Sequence, residues 1–152
     1  TGKTENTVKK GTTISNSKAA YIVTNTEKKT VVYKAGKTKE KKVIIPATVK
    51  IDGVTYKVTS IDAKAFANNK TVTTVVIGSN ITSIEKGAFS GAKKLKTITL
   101  KSGKLTKKSV KNCLKGSAVT TIQLNGNAKK QYAKYVKYFT KTNCGKKVVI
   151  KK

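Results

Sequence analysis

Apolar and polar positions recur with a fixed spacing in the middle of the chain. The segment TSIDAKAFANNKTVTTVVIG, which starts at Thr59, aligns with TSIEKGAFSGAKKLKTITLK, which starts at Thr82. A spacing in this range is typical of repeat proteins, in which each copy forms one turn of a solenoid. Five apolar pairs share an offset of 23 residues: Ile61 and Ile84, Phe66 and Phe89, Val72 and Leu95, Val75 and Ile98, Ile77 and Leu100.

A third, more degenerate copy follows with an offset of 24 residues. In this copy Cys113 takes the place of Phe89, and the position of Ile84 becomes Lys108, so the register upstream of Cys113 stays open. We predict that the repeats span residues 59–125. The strand positions of the third copy, matched to those of the second, are Val119, Ile122 and Leu124.

Each copy contains a short segment of alternating apolar residues, written L-x-x-I-x-L in the second copy. Such a segment forms a strand whose alternate side chains point inward, and one strand per copy stacks into a parallel sheet. Phe66 and Phe89 are expected to fill the core on the opposite wall. The predicted fold class is α/β and mostly β: a short right-handed solenoid with a parallel sheet, whose period lies in the range of leucine-rich repeats.

Two β-hairpins are predicted before the repeats. Apolar β-branched and aromatic runs near residues 20–24 and 30–35 flank the polar sequence TEKK and suit a first hairpin. In the second, Asp52-Gly53 separates ATVKI from VTYKVTSI, and Asp-Gly favours a two-residue turn with positive φ at both residues. Because a repeat cannot cover its own apolar end, we expect residues 19–58 to form an N-terminal hairpin cap.

The two ends of the chain have different predicted structures. Residues 1–18 are polar, lack an apolar period and are expected to be a linker or disordered arm. With a helix and the final strand KKVVIK, residues 126–152 are expected to form a C-terminal cap, and a single domain then spans residues 19–152. The helix is predicted from the apolar spacing within NAKKQYAKYVKYF, at Ala128, Tyr132, Tyr135, Val136 and Phe139.

The run VTSIDAKAF…TVTTVVIG…ITSIEKGAFSGAKKLKTITLKSGKL resembles the BspA-type leucine-rich repeats of bacterial cell-surface proteins. VIIPATVKIDGVTYKVTSI and LTKKSVKNCLKGS resemble the ends of Lys-rich versions from Gram-positive anaerobes. The resemblance is strongest over residues 43–125 and weaker over 20–42 and 126–152. It implies a secreted or wall-associated protein whose repeats serve attachment and protein–protein contact, with no catalytic motif to carry over.

The composition removes most catalytic chemistry. The 152 residues include 34 Lys, six acidic residues and no Arg, His, Met or Trp, and the net charge is +28. Without His, no Ser-His or Cys-His pair exists, and a common metal ligand is missing. Asp62 and Glu85 share a repeat position, but Ca²⁺ needs several oxygen ligands, so turn or capping roles are favoured. We therefore predict no enzyme activity, no cofactor and no metal site.

Two cysteines allow two interpretations. Cys113 stands where the other copies place a buried Phe, and a free Cys usually acts as a small core residue. Cys144 lies between the predicted helix and the last strand. In a secreted protein the pair could instead close a loop of about 30 residues and join the C-terminal cap to the last repeat, which the chain-entropy model values at roughly 3–4 kcal/mol.

The lysines are spread over every segment of the chain. A solvated coat that keeps the protein soluble and attracts it to an anionic wall is one interpretation. A specific site for a polyanion, such as teichoic acid or a sulfated glycan, is the other. Sequence-specific nucleic-acid recognition is not expected, because base readout favours Arg and single-strand binding needs exposed aromatic residues.

A partner is expected on the concave face of the sheet, through strand residues that do not point inward. These candidate binding residues are Thr73, Thr74, Val76, Lys96, Thr97, Thr99, Thr120, Thr121 and Gln123. Most are Thr, which also suits strands for its β-branching alone. The leading hypothesis is a non-enzymatic adhesion or protein-binding module whose partner is a protein ligand or host surface molecule, and the alternative is a polyanion-binding module.

Location follows from the same resemblance. We expect the protein to be extracellular, at the surface or wall of a Gram-positive bacterium. No apolar run approaches 18 residues, so no membrane span is predicted in this sequence. The chain begins at Thr1, and we expect it to be a processed or trimmed piece of a longer protein.

Overall fold

Short β-branched runs separated by turns make most of the chain into strands. The structure, a computed structural model, describes residues 8–37 and 39–152. In chain order the strands are β1 (Thr13–Ser15), β2 (Ala19–Asn25), β3 (Thr30–Gly36), β4 (Lys42–Ile45), β5 (Thr48–Ile51), β6 (Val54–Ile61), β7 (Thr74–Ile77), β8 (Ser83–Ile84), β9 (Thr97–Leu100), β10 (Thr121–Leu124) and β11 (Val149–Lys151). The helices are α1 (Tyr132–Tyr138), α2 (Lys141–Cys144) and two 3₁₀ turns, Lys108–Val110 and Gly126–Gln131.

One five-stranded sheet carries the repeats, in the order β11-β10-β9-β7-β4. All neighbouring strands in it are parallel. Val75 pairs with Ile98, and Ile98 pairs with Ile122, so the residues that the sequence made equivalent are direct cross-strand partners. All three side chains are buried in the core. The mostly-β, leucine-rich-repeat-like fold expected from the sequence is present.

A second, six-stranded sheet has the order β1-β2-β3-β6-β5, with β8 paired to β6. Its hairpins are antiparallel, whereas β3 and β8 lie parallel to β6 on its two sides. The first hairpin occupies Ala19–Asn25 and Thr30–Gly36, close to the predicted bounds. In the second hairpin Asp52 has φ of 51° and Gly53 has φ of 80°, the positive pair that the Asp-Gly sequence predicts.

Stacked aromatic rings fill the core between successive turns of the solenoid. The ring centroids of Phe66 and Phe89 are 5.1 Å apart and nearly parallel, at 12°. Tyr33 stacks on the other side of Phe66 at 5.5 Å, and Tyr21 meets Tyr33 edge-on. In the third turn the buried Cys113 follows Phe89, as the alignment of the copies indicated. The two phenylalanines therefore occupy equivalent positions in one spiral.

Backbone hydrogen bonds also join the turns on the side away from the parallel sheet. The N–H of Phe66 donates to the carbonyl of Ala88 at 2.8 Å, and that of Asn68 donates to Ser90 at 2.9 Å. One turn further, the N–H of Gly91 donates to the carbonyl of Gly116 at 2.9 Å. Because these bonds link non-regular segments, the turns opposite the sheet are held in register as firmly as the strands.

The C-terminal segment packs on the last repeat through Tyr135. Its hydroxyl donates to the carbonyl of Ser102 at 2.7 Å and accepts from the N–H of Leu105 at 3.3 Å. The helix predicted from the apolar spacing is present, but its first part is the 3₁₀ turn Gly126–Gln131 rather than α-helix. The short helix α2, not predicted, follows it and leads to β11.

Three elements differ from the sequence-based expectations. Strand β1 lies inside the arm predicted over residues 1–18, where a single apolar residue, Ile14, is too little to show a period; residues 1–7 lie outside the described residues. Strand β4 belongs to the parallel sheet although residues 19–58 were predicted to be a hairpin cap. An inserted hairpin lengthens the offset from β4 to β7, so the search for a 23-residue period missed it. In the third copy Lys108 is exposed, and Val110 fills the core instead.

Candidate interaction surfaces

The outward side of the parallel sheet, which we call the sheet face, consists of two rows of side chains. Because side chains alternate along a strand, these rows lie opposite the buried residues of the same strands. The face therefore has mostly short β-branched side chains, with lysines at both edges. The first row joins Lys42, Thr74, Thr97, Thr121 and Val149, and the second joins Ile44, Val76, Thr99, Gln123 and Lys151.

The structure brings six of the nine predicted binding residues into these rows: Thr74, Val76, Thr97, Thr99, Thr121 and Gln123. Val76 is only 7% exposed and offers a partner little surface. The remaining three, Thr73, Lys96 and Thr120, lie directly before their strands. There the N–H of Lys96 donates to the carbonyl of Thr73, and the N–H of Thr120 donates to that of Lys96, each at 3.0 Å.

Two strands that sequence reasoning did not place on this surface complete it. Ile44 on β4 is 60% exposed and Val149 on β11 is 49% exposed, so both ends of the face carry an apolar side chain in contact with solvent. The sequence signal for β4 was the run KVII before Pro46. Its alternation was visible, but no copy of it recurred at the repeat spacing.

The paired acidic positions act in turns. Asp62 follows β6, and its Oδ1 accepts a hydrogen bond from the N–H of Lys64 at 3.0 Å. Glu85, at the same position of the next copy, is exposed. Within residues 8–37 and 39–152, no three His, Cys, Asp or Glu side chains come close enough together to hold a metal ion. These carboxylates therefore serve the local backbone geometry.

Cys113 and Cys144 lie in segments that contact each other, and both are buried free thiols. The preceding residues are hydrogen-bonded, since the N–H of Asn112 donates to Oδ1 of Asn143. Burial raises the pKa of the Cys113 thiol far above its usual range, and the neighbouring Cys144 adds to the effect. Burial also raises the pKa of Cys144 to about 11. Both thiols stay protonated at neutral pH, and the thiolate is the nucleophilic form of cysteine.

Charge is distributed unevenly along the chain. Residues 86–152 contain 19 lysines and no Asp or Glu, whereas all six acidic residues precede them. The lysines of this half therefore have no carboxylate side chain within their own segment to pair with. In the part of the chain that the structure describes, no helix has the length and apolar character needed to cross a membrane.

The repeats match a family model. The model describes a BspA type leucine-rich repeat region, and six copies of it cover residues 54–149. The chain therefore belongs to the BspA-type leucine-rich-repeat family, which confirms the family predicted from the sequence. Comparison with curated proteins gives no significant match.

Solved structures share the fold at low sequence identity. A leucine-rich cell-surface protein of Faecalibacterium prausnitzii A2-165 is 19% identical with a TM-score of 0.54, over 77% of this chain and 38% of that one. A leucine-rich repeat protein of Bacteroides capillosus ATCC 29799 is 18% identical with a TM-score of 0.56, over 76% of this chain and 84% of that one. The pneumococcal vaccine antigen PcpA is 19% identical with a TM-score of 0.51, over 77% of this chain and 33% of that one. The chain thus spans little more than a third of the first of these proteins.

Proposed function

We propose that this chain is a non-enzymatic interaction module that acts outside the cell, in adhesion or protein–protein binding, through the sheet face. The family supports this proposal, and so does the description of the Faecalibacterium prausnitzii protein as a cell-surface protein. The same grounds support a position at the cell surface or wall of a Gram-positive bacterium.

The sheet face is the observation that carries the proposal. Five parallel strands align its two rows in register, so the hydroxyls of Thr74, Thr97 and Thr121 lie side by side on a rigid support. A rigid array loses little conformational entropy when a partner binds. Ile44, at the edge of the array, supplies an exposed apolar side chain that a protein partner can bury.

The test uses the variant Thr97→Lys with Thr121→Lys, which places two charged side chains on adjacent strands at the centre of the face. Serum proteins are passed over the immobilised chain in about 0.5 M NaCl, which screens binding that depends only on charge. Each retained protein is then titrated against the wild-type chain and the variant. We expect the variant to bind at least about tenfold more weakly, because it buries charge at the centre of the interface.

A control variant carries the same added charge elsewhere. Thr26→Lys with Thr55→Lys changes two exposed threonines of the N-terminal hairpins, away from the sheet face. It is expected to bind like the wild type, and thermal melting shows whether both variants remain folded. Equal affinity of the sheet-face variant and the wild type would exclude this face, and failure of the wild type to retain any protein would reject protein binding.

Polyanion binding is the second candidate function, and the acid-free half of the chain favours it. Nineteen lysines without a carboxylate in residues 86–152 create a strongly positive field on one part of the molecule. Such a surface would hold a larger protein to an anionic wall polymer or to a sulfated glycan. Its binding must weaken steeply with salt, because each neutralised anion releases counterions.

The ends of the solenoid are proposed to be caps. The N-terminal hairpins cover the first turn by placing Tyr33 against Phe66, and the C-terminal helices cover the last turn through Tyr135. The parallel crossovers are proposed to be right-handed, as they are in nearly all proteins. We further propose that Cys113 and Cys144 become bridged outside the cell, where oxidising conditions prevail.

A further inference from the structure

A basic groove lies between the third turn of the solenoid and the C-terminal helices. One wall comes from residues 107–112, which include a 3₁₀ turn, and the other comes from residues 137–143, where α1 ends and α2 begins. The groove encloses about 740 Å³ and is open to solvent. The residues that line it are Lys107, Lys108, Lys111, Asn112, Lys137, Tyr138, Thr140, Thr142 and Asn143.

Hydrogen bonds from one side chain fix the two walls relative to each other. Asn143 accepts from the N–H of Asn112 and donates through Nδ2 to the carbonyl of Val110 at 3.2 Å. The same Nδ2 donates to the carbonyl of Tyr138 at 2.7 Å. One amide therefore connects the third turn, the end of α1 and the start of α2. Because the walls are already joined, a ligand would not have to order them on binding.

The side chains around the groove are suited to an anion. Lys107, Lys108, Lys111 and Lys137 are all exposed, and each supplies three N–H donors with a full positive charge. The hydroxyls of Thr140 and Thr142 add neutral donors. No carboxylate lines the groove, so the four positive charges have no acidic competitor there.

Other depressions on the described surface are less suited to this ligand. One, beside Asn68 and Gly91, has three lysines, and it lacks a hydroxyl group in its lining. Another, beside Ile44, includes the carboxylate of Glu40 together with two lysines. The groove at the third turn combines the most lysines with neutral hydrogen-bond donors.

We propose that this groove is a binding site for the phosphate or sulfate groups of a linear anionic polymer. The proposal rests on the second candidate function above and assigns it to particular residues. The lysines neutralise successive anionic groups, while the threonine and tyrosine hydroxyls donate hydrogen bonds to their oxygens. An open groove suits a polymer, because a chain can enter and leave at both ends.

The test compares two sets of substitutions that remove the same charge. The groove variant changes Lys107, Lys108, Lys111 and Lys137 to Gln. The control variant changes Lys93, Lys94, Lys129 and Lys130 to Gln, all exposed and outside the groove. Affinity for poly(glycerol phosphate) and for heparin is measured between about 0.05 and 0.5 M NaCl, a range over which counterion release changes binding strongly. The two probes separate phosphate from sulfate as the preferred group.

We expect the groove variant to bind the preferred probe at least about tenfold more weakly than the control at 0.15 M NaCl. Its slope of log K against log salt should also fall by about 3, since nearly one counterion is released per neutralised anion. A variant with Arg at the same four positions keeps the charge and is expected to retain binding. Far-ultraviolet circular dichroism and thermal melting show that each variant is folded.

Two results would overturn the proposal in different ways. If the groove and control variants lose affinity equally, the lysines act as a general coat, and the groove is not a site although the polyanion function stands. If the wild type binds neither polymer above about 0.15 M NaCl, where surface charges are largely screened, the polyanion function fails as well.

Discussion

Phe66 and Phe89 show how one residue per turn sets the spacing of the solenoid. Each ring is almost wholly buried and stacks on the ring of the neighbouring turn, with Phe66 also against Tyr33. The repeat spacing identified the two phenylalanines from the sequence. It could not identify Tyr33, which reaches the stack from a hairpin whose length is unrelated to the period. Residue equivalence was therefore predictable only inside the repeats.

Truncation of Phe89 tests whether the stack stabilises the fold. Phe89→Ala is expected to lower the free energy of unfolding by about 3–5 kcal/mol, because a buried ring is lost and its neighbours collapse only partly into the space. Val136→Ala on the exposed side of α1 is the control and should cost less than about 1 kcal/mol, since Val136 is 44% exposed. Urea denaturation measures both. A loss for Phe89→Ala no larger than that of the control would contradict the stacking argument.

Elements with local signals were predictable, and elements that depend on distant pairing were not. The hairpin at Asp52-Gly53 follows from two residues that favour positive φ, and β7 and β9 follow from their alternation and recurrence. Strands β1 and β4 have no such signal, because they form only when another strand offers its edge. The same limit applies to the sheet face: the sequence placed Thr97 and Thr121 on it but not Ile44, which lies on β4.

The turns opposite the sheet provide a prediction at the level of the element. Gly91 and Gly53 both have φ of 80°, so Ala at either position incurs the left-handed penalty of roughly 1–2 kcal/mol. A methyl group on Gly53 meets open space, whereas one on Gly91 would collide with the side chain of Asn68 in the preceding turn. Overpacking adds about 1–3 kcal/mol in such cases. Gly91→Ala is therefore expected to destabilise the protein more than Gly53→Ala in the same urea experiment, and equal losses would show that the turns yield freely.

At the scale of the whole molecule, charge and cysteines separate the chain into two unlike halves. All the acidic residues lie before residue 86, and both cysteines lie after it. The total charge was readable from composition, but the groove was not, because it depends on the third turn and the C-terminal helices meeting in space. Asn143, which joins the two walls, has no recognisable signal in the sequence. A site built from two distant segments becomes visible only when the fold brings them together.

The proposed bridge between Cys113 and Cys144 would act on the whole molecule by joining the C-terminal cap to the last turn. Their segments already contact each other through Asn112 and Asn143, so closure needs little movement. We expect the oxidised protein, unfolded without reductant, to be lighter than the reduced protein by two hydrogens and to contain no alkylatable thiol. A reductant should lower the free energy of unfolding by roughly 3–4 kcal/mol, the value for a loop of about 30 residues.

A Cys144→Ala variant is the control for that measurement, because it cannot form the bridge and its stability should not respond to reductant. Two thiols that react in denaturant after expression in an oxidising compartment would reject the bridge. The pair would then be two buried, protonated core residues, in keeping with the raised pKa of each thiol. In that case the helices would be held to the last turn by packing and by the hydrogen bonds of Tyr135 and Asn143 alone.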